Sequence, residues 1–172
     1  MQAPPLLPAE TYLRVVRLAH LDGMAVLLIA GGFAALAALG RNFEGVVIGL
    51  AIAAAGAVEL HGAGLLRAGE PRGYPWIVAS QPYLLLMLVA YCAFRWAAPE
   101  LPPVPAELQA TVEANAAQVG MAPEEYLMLG YRTVYALVAL VSFFYQGGMT
   151  LYYLRRRTTV LAALEQDPDS IA

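Results

Sequence analysis

The stretch GVVIGLAIAAAGAVELHGAGLL, residues 45–66, decides the fold. It carries one acid, Glu59, and one imidazole, His61, in an otherwise apolar run rich in glycine and alanine. A helix rises about 1.5 Å per residue, so roughly 20 residues cross a hydrocarbon core of about 30 Å. A membrane strand would instead show period-two alternation over about 10 residues, and this run is continuously apolar. Helices satisfy their own backbone in lipid, and a helix is therefore expected.

Working outward, the same pattern recurs three times. Apolar runs predict further spans at about 20–40, 74–97 and 126–155. The chain is 60% hydrophobic and only 13% charged, against about 25% charged residues in soluble domains. We read an all-α fold: an integral membrane four-helix bundle forming a single domain over 1–172. Arg14 and Arg17 ahead of an apolar run ending in Ala35-Leu36-Ala37 also fit a signal peptide, but we expect the segment to be retained as the first span.

Between the third and fourth spans, Pro99, Pro102, Pro103 and Pro105 forbid one continuous helix. Val104, Leu108, Val112 and Val119 then form an apolar stripe, which predicts a short amphipathic surface helix over about 105–119, stopped at Gly120. Pro123-Glu124-Glu125 reads as a helix start, with proline tolerated at the first position and acids favoured near the positive dipole end. Pro8 and Glu10 open a lead-in to the first helix, and a disordered tail is expected over about 166–172.

All ten cations are arginines. Arg14, Arg17, Arg67, Arg72, Arg155, Arg156 and Arg157 fall on one side of the predicted spans, and Arg41, Arg95 and Arg132 on the other. Cytoplasmic flanks carry the excess of basic residues, which predicts a bacterial inner membrane protein with both termini in the cytoplasm. No basic stripe lies on a polar surface, so nucleic acid is not an expected partner. The expected surroundings are the lipid bilayer and a second copy of the chain in a homo-oligomer; no protein partner is named by the sequence. A lone cysteine, Cys92, excludes an intramolecular disulfide.

With little hydrophobic force between helices in lipid, small residues set the packing. Gly31 and Gly32 in the first span and Gly45, Gly49, Gly56 and Gly62 in the second predict a tight hairpin, with a homo-oligomer interface as the competing use.

An ionisable group within a span costs about 2.5–3.5 kcal/mol on insertion scales, which makes Glu59 a functional candidate. Counting equally from the first turn places Asp22 level with His61 and Met24 level with Glu59. Counting from the second connection places Gln81 level with His61 and Tyr83 level with Glu59, while Gln146 falls at that depth on the fourth span. The candidate ligand or ion site is therefore Asp22, Glu59, His61, Gln81, Tyr83 and Gln146, in a layer that also takes in Ser80 and Tyr145. Glu59 and His61 stand about 200° apart on their helix and face different neighbours. Pro82 lies in the layer and favours a kink.

Three functional classes follow. The first is a non-enzymatic oligomer binding or conducting a small polar or ionic species. The second is a structural or assembly subunit; on the structural reading of the layer Asp22 pairs with His61, and Glu59 is protonated or bonded to Tyr83 or Gln81. The third is a haem- or metal-dependent redox protein using His20 and His61, the only histidines. No cofactor is specified by a motif, and neither HExxH nor G-x-S-x-G is present.

Overall fold

A computed structural model describes residues 7–101 and 103–166. The described secondary structure is entirely helical: α1 (Pro8–Leu39), α2 (Phe43–Arg67), α3 (Gly73–Ala97), α4 (Ala106–Gln118) and α5 (Pro123–Gln166). α1, α2, α3 and α5 are each long and apolar enough to cross a membrane, and the chain is an integral-membrane helical protein. The tail expected at 166–172 lies, beyond Gln166, outside the described residues.

Two helices are longer than their apolar runs. α1 begins at Pro8 without a break, so the lead-in and the first span are one helix of 32 residues. α5 starts at Pro123 and continues through Arg155, Arg156 and Arg157 to Gln166. No proline interrupts either helix after its first residue, and both run through their internal glycines, Gly23, Gly31 and Gly32 in α1 and Gly130, Gly147 and Gly148 in α5. α3 likewise continues through Pro82.

Where α1, α2 and α4 stop, the chain turns through the left-handed region. Gly69 (φ 76°) ends α2, and its successor Glu70 donates its N–H to the Leu65 carbonyl at 2.9 Å. Gly120 (φ 70°) ends α4 in the same way, with Met121 N–H bonded to the Ala116 carbonyl at 3.0 Å. Arg41 (φ 55°) holds this position after α1, and the next residue, Asn42, caps α2 by accepting the Gly45 N–H at 2.9 Å.

The chain divides into two compact units. The first comprises α1, α2, α3 as far as Met87 and α5 from Tyr145. α1 and α2 meet along a seam where a Cβ on Gly49 would lie 2.8 Å from Ala34 Cβ, and one on Gly56 would lie 2.5 Å from the Gly23 carbonyl oxygen. α2 and α3 cross at Gly62 and Gly73, each facing the other's backbone carbonyl. Gly31 and Gly32, expected to crowd this packing, have nothing within 4 Å of an added Cβ and lie off the seam.

At the arginine-rich ends of these helices sits a core of Tyr12, Val15, Val16, Ala19, Ala63, Leu66, Tyr74, Ile77, Tyr153, Val160 and Ala163. It draws on the polar-flanked extensions of α1 and α5, which explains their helical order: Tyr12, Val15, Val16 and Ala19 recur at helical spacing and bury one face. Tyr12 donates to the Leu66 carbonyl at 2.7 Å and Tyr74 donates to the Tyr153 carbonyl. Both hydroxyls satisfy backbone oxygens inside this core.

The second unit, Leu88–Phe144, contains the end of α3, all of α4 and the start of α5. In α4 the buried position is Ala116, and Val119, counted in the stripe, is the exposed C-cap residue. Arg95 Nε donates to the Tyr131 hydroxyl at 2.7 Å and its guanidinium lies 5.7 Å from that ring's centroid. Arg132 stacks over Trp96 at 6.0 Å. Such arginine–aromatic pairs suit a membrane–water boundary.

Candidate functional site: a buried cluster of two carboxyls

Glu59 is 1% exposed in the second half of α2, and the first unit builds a polar cluster around it. The small residues next to it make room. Gly56 and Gly23 let the backbones of α1 and α2 approach, and a Cβ on Gly23 would lie 3.2 Å from Glu59 Cβ. Asp22 stands beside Gly23 on α1. Gln81, on α3, is fully buried.

Gln81 ties the carboxyls together. Its Nε2 donates to Asp22 Oδ2 at 2.9 Å and lies 3.0 and 2.9 Å from Glu59 Oε1 and Oε2. One amide nitrogen shared by two carboxyls keeps their oxygens within about 6 Å of each other. Two tyrosines of α5 complete the set. Tyr153 OH donates to Glu59 Oε1 at 2.9 Å, and Tyr145 OH donates to Asp22 Oδ1 at 2.8 Å. A continuous hydrogen-bonded string therefore runs Tyr145, Asp22, Gln81, Glu59, Tyr153, drawing on all four long helices.

The string has a closed and an open end. Glu59, Gln81 and Tyr153 are essentially inaccessible, Asp22 is half-buried and Tyr145 is 49% exposed. Among the described residues neither carboxyl forms an ion pair with an arginine or histidine. Gln81 Oε1, at the other end of the same carboxamide, is buried without a hydrogen-bond partner.

Of the residues expected from equal-depth counting, Asp22, Glu59 and Gln81 come together, and Tyr145 joins them. The others do not. His61 is exposed and packs edge-on against Trp76, ring centroids 5.7 Å apart, so the Asp22–His61 pair is replaced by bonds from Gln81 and Tyr145. Tyr83 is 38% exposed and donates to the Ala51 carbonyl at 3.1 Å. Ser80 donates back to the Ile77 carbonyl at 2.9 Å, within its own helix. Gln146 is buried, but its Oε1 has no hydrogen-bond partner and no bond joins it to the string. His20 is half-buried on α1, and among the described residues no three His, Cys, Asp or Glu side chains are arranged to hold a metal ion.

Tyr153 was not among the expected residues. It lies about 12 Å along α5 from Tyr145, too far for a depth count that treats side chains as points. The available signal was helical phase: Tyr153 follows Gln146 by two turns, placing both on the buried face of α5.

No family model matches the sequence, and no curated protein or solved structure matches it. The cluster's chemistry is thus read from its own atoms. It offers two carboxyls, an amide and two hydroxyls, and among the described residues no basic side chain is paired with either carboxyl.

Proposed function

We propose that this protein binds, or passes across the membrane, a small polar or ionic species at the cluster of Asp22, Glu59 and Gln81, working as a non-enzymatic homo-oligomer with both termini in the cytoplasm of a bacterial cell. One observation carries this reading: Glu59, 1% exposed in a membrane-crossing helix, is bonded only to neutral donors and has a second carboxyl, not a base, as its neighbour. Charged groups in lipid pair with opposite charge or mark a path for ions and substrates. Among the described residues no arginine or histidine supplies that charge here, and we assign the role to an exchangeable species. Asp22 is half-buried and Tyr145 exposed, and we assign entry to this side of the cluster.

The test is flux in proteoliposomes of purified protein, with sodium, potassium and proton gradients imposed in turn. Wild type is expected to dissipate at least one gradient faster than empty vesicles, and Glu59→Gln to lose that activity while eluting as the same species on size exclusion. Equal flux in wild type and Glu59→Gln would remove Glu59 from the path.

A further inference from the structure

Resting on the proposed role of this cluster, we infer that the species it takes is the proton, held by the Asp22–Glu59 pair and exchanged with water on the Asp22–Tyr145 side. The first ground is charge. Two carboxylates within about 6 Å of each other, in helices surrounded by lipid, are not tolerated without compensation. The groups that face Glu59 leave only one source for it. α1 presents Asp22, close enough to interact directly, and α5 presents the hydroxyls of Tyr153 and Tyr145. α3 presents the neutral Gln81, and His61 of α2 itself points outward to Trp76. A single proton on the pair halves the charge using no group beyond those present.

The second ground is Gln81. Its amide nitrogen serves three carboxyl oxygens, more than its two hydrogens satisfy, while Oε1 is buried and accepts nothing. A proton on either carboxyl resolves the first fault, leaving two acceptor oxygens for the two amide hydrogens. Turned end for end, the carboxamide puts Oε1 where Nε2 now stands, in reach of the O–H of the protonated acid. The side chain thus suits both states, donating to carboxylates and accepting from the acid. The exchange balances simply: the Glu59 carboxyl gives its proton to Asp22, Asp22 releases it to water beside Tyr145, and a proton taken up from water by the same route restores the single charge of the pair, with Gln81 and Tyr153 holding Glu59 in between. Asp22, the half-buried member, is the relay, and Glu59 is the store.

The experiment uses dicyclohexylcarbodiimide, an apolar reagent that adds a protonated carboxyl across its N=C bond and rearranges to a stable N-acylurea. Detergent-purified wild type is treated in mildly acidic and mildly alkaline buffers, with choline or sodium as the cation, and the adduct is located by intact mass and peptide mapping. The expected result is one adduct, on Glu59 or Asp22. Its rate should fall about tenfold per pH unit once the proton is lost and should be the same in sodium and choline. Infrared spectra of the same samples should show a protonated-carboxyl C=O band that Glu59→Gln lacks. Sodium blocking the adduct would overturn the proton assignment and leave the cluster as a cation site, with the proposed function intact. A folded protein showing neither adduct nor band would also overturn it, and if no imposed gradient is dissipated either, the proposed function falls with it.

Discussion

Tyr153 and Tyr145 make the same kind of bond from very different surroundings. Tyr153 is fully buried and donates to Glu59, whereas Tyr145 is 49% exposed and donates to Asp22. Removing a donor is costly where the acceptor left behind is fully buried, about 1–3 kcal/mol, and less so where the acceptor is only half-buried, as Asp22 is. Tyr153→Phe is therefore expected to lower the thermal unfolding midpoint in detergent clearly, by the equivalent of about 1–3 kcal/mol, and Tyr145→Phe by much less. Equal losses would contradict the closed and open ends assigned to the string. At this scale the sequence was legible in part. Glu59 announced itself by being an acid in an apolar run, and Asp22 and Gln81 followed from turn counting. His61, two residues from Glu59, could not be separated from it by depth, because depth says nothing of which face a side chain takes; its packing on Trp76 settles that. Tyr83 failed for the same reason, its hydroxyl reaching the Ala51 carbonyl on the exposed side.

Among the elements, the α1–α2 hairpin places Asp22 against Glu59, and glycine decides how close the two helices come. A Cβ at Gly56 would lie 2.5 Å from the Gly23 oxygen and 2.7 Å from the Leu27 nitrogen, both backbone atoms that move only with their helix. Gly56→Ala is expected to cost about 1–3 kcal/mol, as overpacking does, against its gain of about 1 kcal/mol in helix propensity. Gly31→Ala, with nothing within 4 Å, is expected to keep or raise stability. The pair is compared by unfolding in the same detergent, and a tolerated Gly56→Ala would show that the seam is looser than described. Composition disclosed that small residues would set the packing, and the seam does run through Gly49 and Gly56. It did not disclose which glycines lie on it, since α1 offers Gly23, Gly31 and Gly32 and only contact across the seam selects Gly23. Helix ends were harder still. Pro8 and Gln166 bound helices far longer than a bilayer requires because Tyr12, Val15 and Val160 bury there in a core that hydropathy alone does not reveal.

For the molecule as a whole, four long apolar helices were legible from composition and run length, because lipid permits little else for such stretches. Orientation rests on the arginines, and the cluster's place in the membrane rests on the spans. Both meet in the first unit, where the connection at 68–72 joins Leu66 to Tyr74 of the shared core and the α5 turns after Arg155 add Val160 and Ala163 to it, while Arg41 sits at the opposite end of the α1–α2 hairpin. Single cysteines placed at Glu70, Thr158 and Arg41 in a Cys92→Ala background, reacted with a membrane-impermeant maleimide in sealed inside-out and right-side-out vesicles, test this directly. Glu70→Cys and Thr158→Cys are expected to label together in inside-out vesicles and Arg41→Cys only in right-side-out ones. Labelling of positions 70 and 158 from opposite faces would contradict four spans and remove the Asp22–Glu59 cluster from the membrane interior.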